Sequence, residues 1–295
     1  MVVKIGLLVD SGIDLPKGVA KKKDINLIPF TVLINDDPRL YGVQIVNQEV
    51  VEHLNKKDDV KIAPAVPLAF DLKFKKMSEE YDKLYVLTTT SELSQCYENA
   101  KHGLRLFKKK QKLEENGIIF KNIKIIDSRT SSIGLGQIAN RVASIVKTDF
   151  DQEKLDKYIA WLIKKSMTFF VIDDLYWLKK SEKLNIFTGF IGKMLDVKPI
   201  VKIEDGWIVP LDKSRGKDTA IEIMIKIIKQ STPRFKRGME IWVAHSAALL
   251  DAKHLRRQLA TSFQIAEKKI PIMEIGPTMT AHTGPGLVSV SILPK

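Results

Sequence analysis

Val2-Val3-Lys4-Ile5-Gly6-Leu7-Leu8-Val9-Asp10-Ser11-Gly12-Ile13-Asp14-Leu15-Pro16 is the stretch that decides the fold. Residues 2–9 are almost continuously apolar, as a strand covered on both faces requires. Residues 10–16 are turn chemistry that opens a short helix. The same unit recurs. Leu84 to Thr88 reads as a strand, followed by a helix carrying Tyr97, Ala100, Leu104 and Phe107. Ile123 to Ile126 reads as another, followed by a helix marked by Leu135, Ile138, Val142 and Ile145. Between them, Ile25 to Ile34 reads as a strand and Asn47 as the cap of a helix running to about Lys56. Pro67 suits the first turn of a further helix, whose Phe70, Phe74 and Met77 share one face. Strands alternating with helices predict an α/β fold, here a mostly parallel sheet with helices on both faces over residues 1–150.

The polar stretch Thr148-Asp149-Phe150-Asp151 marks a division, and residues 151–295 form a second α/β unit. It contains a strand at Met167–Ile172, a helix from Asp173, and a hairpin pairing Lys198–Ile203 with Trp207–Val209 across Glu204-Asp205-Gly206. Helix (Ala220–Gln230), strand (Ile241–His245), helix (Leu249–Glu267) and strand (Pro271–Ile275) follow, and Leu287–Leu293 is the last strand. The hairpin makes this sheet mixed. The chain therefore reads as two α/β domains.

Composition narrows the function classes. The 295 residues are 44% hydrophobic and 28% charged, which is ordinary for a folded protein and far from the disordered range. No run approaches the ~18 uncharged apolar residues of a membrane span. The first apolar run lacks the basic flank and length of a signal peptide, so it is read as a strand. Cys96 is the single cysteine, so no internal disulfide can form, and a reducing cytoplasm is the expected location. The net charge of +13 invites a nucleic-acid reading. However, the lysines are interspersed with acids, and the densest run, Lys108-Lys109-Lys110-Gln111-Lys112, falls where a helix should end and cations complement its dipole. No RNP strand, KH loop or zinc finger accompanies them, so nucleic acid is not expected as the partner.

Gly134-Leu135-Gly136-Gln137-Ile138-Ala139 matches G-x-G-x-x-A, but the glycines follow the strand by seven residues and no acidic residue sits ~20 positions on. Close helix packing is the better account. There is no Walker A sequence and no G-x-S-x-G elbow. None of the five histidines forms an H-x-x-x-H pair, and with one cysteine there is no zinc set, so neither metal nor other cofactor is expected. His245 ends a strand, a common place for a site in α/β sheets.

Three hydroxyl-rich segments remain. Thr88-Thr89-Thr90-Ser91-Glu92-Leu93-Ser94 and Asp127-Ser128-Arg129-Thr130-Ser131-Ser132 each follow a strand, where free N–H groups and hydroxyls suit an anion or simply cap a helix. Gly276-Pro277-Thr278-Met279-Thr280-Ala281-His282-Thr283-Gly284-Pro285-Gly286 reads as a loop that either faces an anion or is an ordinary turn with a capping histidine. Together they suggest a shared crevice at the carboxyl ends of neighbouring strands.

At these residues the sequence resembles the DegV family, which includes the fatty-acid-binding subunits of bacterial fatty acid kinase. Asp10-Ser11-Gly12-Ile13-Asp14-Leu15-Pro16 resembles D-S-x-x-D-L-P, and Ser91-Glu92-Leu93-Ser94 resembles S-x-L-S. Asp127 and Ser128 with Ser132, Gly134 and Gly136 resemble D-S-x-x-x-S-x-G-x-G. His282-Thr283-Gly284-Pro285-Gly286 resembles H-x-G-P-G. The resemblance implies two α/β domains and a tunnel holding a long-chain fatty acid, its carboxylate met by hydroxyls and the histidine. A separate ATP-using kinase subunit would phosphorylate that carboxylate, making this chain a lipid carrier and not itself an enzyme. On this basis Thr90, Ser91, Ser94, His282, Gly284 and Gly286 are the expected lipid-binding residues. Asp127, Ser128 and Lys183 are expected to contact the head group or the partner. The chain departs from the family in reading Ile62-Ala63-Pro64-Ala65-Val66 for T-S-Q-P-S, Leu93-Ser94-Gln95-Cys96-Tyr97 for L-S-G-T-Y, and Ser181-Glu182-Lys183-Leu184 for G-G-R-I. Other readings are a different lipid or anionic ligand, acyl or phosphoryl chemistry in the same crevice, and nucleic-acid binding.

Overall fold

Strand β1 (Ile5–Asp10) is central, as its apolar run requires. The computed structural model describes residues 3–113, 122–147, 151–181, 196–232 and 238–295. In it β1 lies between β2 (Ile25–Ile28) and β6 (Lys83–Thr88), and β7 (Ile123–Asp127) pairs with β6. All three pairings are parallel. Side chains alternate across this sheet as strand geometry demands. Leu7, Val9, Tyr85 and Leu87 enter one core with α5 (Ser132–Ile145) and α6 (Gln152–Lys165). Leu8, Leu84 and Val86 enter another with α3 (Pro67–Ser78) and α4 (Cys96–Leu113).

The segment Ile25–Ile34 is two strands rather than one. Pro29 has no N–H for the ladder, and the next N–H, that of Phe30, donates to Ser11 Oγ at 2.7 Å. The chain turns there into a small antiparallel sheet, ordered β4 (Asp37–Leu40), β3 (Thr31–Ile34), β5 (Val60–Ala63). Val32 and Ile34 of β3 pack on Ile45, on Val50 and Leu54 of α2 (Asn47–Asn55), and on Trp177. Asn47 is the first residue of α2 and not its cap. Val46 holds that place, and its N–H donates to Glu49 Oε2 at 2.9 Å.

The second sheet has six strands in the order β10 (Trp207–Arg215), β9 (Val197–Glu204), β8 (Met167–Val171), β13 (Val288–Pro294), β11 (Met239–His245), β12 (Ile272–Glu274). Only β11 and β12 pair in parallel. One face, with Phe169, Val171, Ile200, Val243 and Val290, is covered by α8 (Lys217–Ser231) and α9 (Leu249–Phe263). The helix expected to reach Glu267 ends at Phe263, where Gln264 turns left-handed. The other face, with Phe170, Val201, Ile203 and Trp242, packs on Ile133 of α5, on Leu178 of α7 (Leu175–Lys180) and on Met279.

Helix α5 lies between the two sheets, and its glycines are what let it do so. A Cβ at Gly134 would fall 2.2 Å from Thr168 Oγ1, and one at Gly136 would fall 1.9 Å from the backbone oxygen of Asp14. The buried Gln137 bridges strands of the second sheet, accepting from Ser291 Oγ at 2.8 Å and donating to the Glu240 carbonyl at 2.9 Å. The G-x-G-x-x-A stretch is thus a close-packing helix. Residues 276–286, expected as a loop, instead contain α10 (Pro277–Thr283), with Pro277 in its first turn and Gly284 just past its end. The prolines and glycines bound this helix rather than prevent it.

Candidate ligand-binding cavity

The inner face of the second sheet does not meet the first half of the chain everywhere. Between them is a cavity of about 230 Å³, larger than the roughly 150 Å³ that accommodates benzene in an apolar core. Phe170, Ile172, Val201 and Ile208 form the wall from the second sheet. Phe30, Ile62, Pro64 and Leu93 face them, and Leu178 and Met279 close the side. Thr89, Ser94, Gln95, Ser131, Thr278, His282 and Thr283 supply the polar atoms. Among the described residues, no Asp, Glu, Lys or Arg lines the cavity.

The loop after β6 is held by its own hydroxyls. Thr90 is fully buried, and its carbonyl accepts from the N–H groups of Leu93 and Ser94, both at 3.1 Å. Its Oγ1 accepts from Glu92 N at 3.3 Å. Ser91 Oγ donates to Asp127 Oδ2 at 2.7 Å and does not line the cavity. Ser94 does line it, and its Oγ accepts from Cys96 N at 3.2 Å as α4 begins. In the loop after β7, Asp127 also accepts from Arg129 N at 2.9 Å, and the buried Ser128 donates to the Thr130 carbonyl at 3.0 Å. The Arg129 guanidinium meets Glu92 Oε1 at 3.0 Å and the Asp205 carbonyl in the β9–β10 turn. Gly206 of that turn sits on Thr90, where a Cβ would come within 2.4 Å of Thr90 Oγ1. Thr90, Ser91, Asp127 and Ser128 therefore fasten the loops after β6 and β7 and do not line the cavity, whereas Ser94 and His282 do.

His282 lies in the last turn of α10, half-buried, and its carbonyl accepts from Ser181 Oγ at 3.3 Å. Gly284 and Gly286 have φ of +75° and +98°. A Cβ at Gly284 would come 1.9 Å from the Trp177 ring, and one at Gly286 would come 2.4 Å from Asp173 Oδ2. Lys183 lies outside the described residues. His245 does not join this cavity; it is buried elsewhere, with Nδ1 accepting from Ala248 N at 3.2 Å, and burial lowers its pKa.

Two buried carboxylates brace the site from behind. Asp10 accepts from Gly12 N and Thr89 Oγ1, each at 2.8 Å, and from Thr89 N at 2.5 Å. Burial raises its pKa, and those hydrogen bonds oppose the rise. Asp14 accepts from Ser132 Oγ at the start of α5 and from Gly276 N at 2.7 Å, just before α10. Burial pushes its carboxyl up to about 6, against the Ser132 and Gly276 hydrogen bonds. One carboxylate thus ties together three chain segments far apart in sequence.

Sequence reasoning did not single out Thr89, Ser131 or Thr278 as cavity residues, although each lies in a hydroxyl-rich segment it marked. Among the described residues there is no group of three or more His, Cys, Asp or Glu able to hold a metal ion, and no helix is long and apolar enough to cross a membrane. What the cavity offers chemically is apolar surface together with hydroxyls, one side-chain amide and one imidazole.

Comparison with known proteins agrees with this architecture. Residues 4–295 match the family described as "Uncharacterised protein, DegV family". A DegV domain-containing protein of Clostridium acetobutylicum is 28% identical, with 99% of each chain covered. The fold is similar to that of a Thermus thermophilus protein described as a fatty-acid-binding DegV family protein, with a TM-score of 0.87, 19% identity, and 99% of this chain and 100% of that one covered. It is also similar to that of a stearic acid-binding protein from Eubacterium ventriosum, with a TM-score of 0.88, 18% identity, and 99% and 98% covered.

Proposed function

The chain belongs to the DegV family, and from that premise we propose that it binds one long-chain fatty acid in the cavity and presents the carboxylate to a separate, ATP-using kinase subunit. The observation that carries this reading is the make-up of the cavity, with apolar walls from both halves of the chain and Ser94 and His282 facing the same space. Burying more than ten methylenes at ~0.8 kcal/mol each contributes on the order of 10 kcal/mol before ordering costs. An acyl chain therefore supplies the affinity, and the polar groups fix its direction. Fatty acids described in relatives of the same fold support the choice of ligand.

In this reading the chain is a carrier and performs no catalysis. It works in the cytoplasm, with residues 1–150 and 151–295 as two domains that meet at the cavity, α6 of the second packing into the core of the first. Titration with palmitate should saturate at one molecule per chain, and addition of a fatty acid kinase subunit with ATP should convert bound palmitate to acyl phosphate. Failure to bind palmitate would refute the carrier reading. Binding without phosphorylation by any such kinase would refute only the partnership.

A further inference from the structure

The cavity's hydroxyls are not equivalent. Thr89 Oγ1 donates to Asp10 at 2.8 Å, and Thr283 Oγ1 donates to the Met279 carbonyl at 2.8 Å. Both have given their protons to the protein. Thr278 Oγ1, in contrast, is shut off from solvent and has no hydrogen-bond partner among the described residues. Native proteins keep few such buried polar atoms, and each one asks what satisfies it.

Ser131 is the second exception. It is the N-cap residue of α5, with φ −153° and ψ 174°, the extended conformation in which a serine hydroxyl ordinarily accepts an N–H from the first turn. Its side chain makes no such bond. The residue is buried and lines the cavity. Asp14 ties together the two segments that carry these residues, holding Ser132 Oγ, one residue after Ser131, and Gly276 N, two residues before Thr278, and both residues line the same cavity. The cavity they line has apolar walls, Ile62 and Pro64 included.

We propose that the hydroxyls of Ser131 and Thr278 form the second half of the head-group site, donating to the carboxylate oxygens of a long-chain acid whose other polar contacts are Ser94 and His282. This assignment rests on the fatty-acid reading of the cavity. It makes these two hydroxyls neutral donors to a charged acceptor. Hydrogen bonds of that kind are stronger than those between neutral partners, so an acid is favoured over an alcohol with the same chain.

The test compares palmitate with hexadecanol by calorimetric titration on the full chain, using Thr278→Val and Ser131→Ala singly and together, with Thr278→Ser as the conservative control. Thr278→Val preserves side-chain shape, and thermal melting checks that each variant is folded. Each single loss should weaken palmitate binding about ten-fold, the double variant should weaken it further, and hexadecanol affinity should stay within about two-fold. Thr278→Ser should bind palmitate like the wild type. Wild type that binds palmitate, with folded variants that match it, overturns this proposal alone, as does an equal loss for acid and alcohol. Wild type that binds neither ligand overturns the fatty-acid reading and this proposal with it.

Discussion

Replacing Gly284 with Ala places two separable strains at one atom. The backbone there has φ +75° and ψ 177°, a region that is essentially glycine-only and costs of order 1–3 kcal/mol for any other residue. The new Cβ would also sit 1.9 Å from the Trp177 ring. Trp177 cannot withdraw easily, because it is 8% exposed and packed with Val32, Ile34, Ile45, Val50 and Leu54. Forcing a methyl into such packing costs a further ~1–3 kcal/mol. Gly284→Ala should therefore lose about 2–6 kcal/mol of stability, measured by urea unfolding followed through tryptophan fluorescence. In a Trp177→Leu background the steric part should vanish and the backbone part remain, so the cost of Gly284→Ala should fall by ~1–3 kcal/mol. A Gly284→Ala protein within about 0.5 kcal/mol of wild type would refute the reasoning and leave the glycine to be explained by ligand contact.

Three further perturbations separate bracing from binding. Gly136→Ala should lower the unfolding midpoint by the equivalent of at least ~1–3 kcal/mol, since its Cβ would meet the Asp14 backbone oxygen at 1.9 Å; an unchanged midpoint would contradict the close packing of α5. Ser91→Ala removes a hydroxyl bonded to Asp127, so it should cost about 1 kcal/mol of stability while leaving palmitate affinity within about two-fold; a large loss of affinity in titration would return Ser91 to the head group. Asp14 has its folded pKa raised from 3.8 to about 6, so the fold favours the protonated form. The resulting stabilisation is full below pH ~3.8 and lost as pH rises through ~6, by about 3 kcal/mol. Unfolding free energies at successive pH values should show wild type losing about that much relative to Asp14→Asn between pH 4 and 7, and a difference flat with pH would contradict it.

The parts of the fold legible in the sequence were those where burial writes a pattern. Residues 5–10 and 83–88 are buried on both faces, so their apolar runs read as strands, and Phe70, Phe74 and Met77 disclosed α3 by their spacing. The small sheet was hidden because its strands are four residues long and β4, Asp37-Pro38-Arg39-Leu40, is largely exposed and has no apolar face to signal. Helix α10 was hidden because proline and glycine set its ends within only seven residues. At the site, Ser94 and His282 draw notice in the sequence because hydroxyls and a histidine stand out after strands, and both line the cavity. Ser91 and Ser128 carry the same chemistry but turn it inward to Asp127 and Thr130, which residue type alone does not reveal. Ser131 and Thr278 show the converse: that the one makes no capping bond and the other has no partner among the described residues is legible only in the structure.

Identifying what the purified protein carries tests the central claim most directly. The protein would be denatured and extracted with organic solvent, and the extract measured by mass spectrometry against the molar amount of protein. Close to one fatty acid per chain is expected, or uptake of one when palmitate is added to lipid-free protein. A chain that carries no lipid and takes up none would contradict the claim.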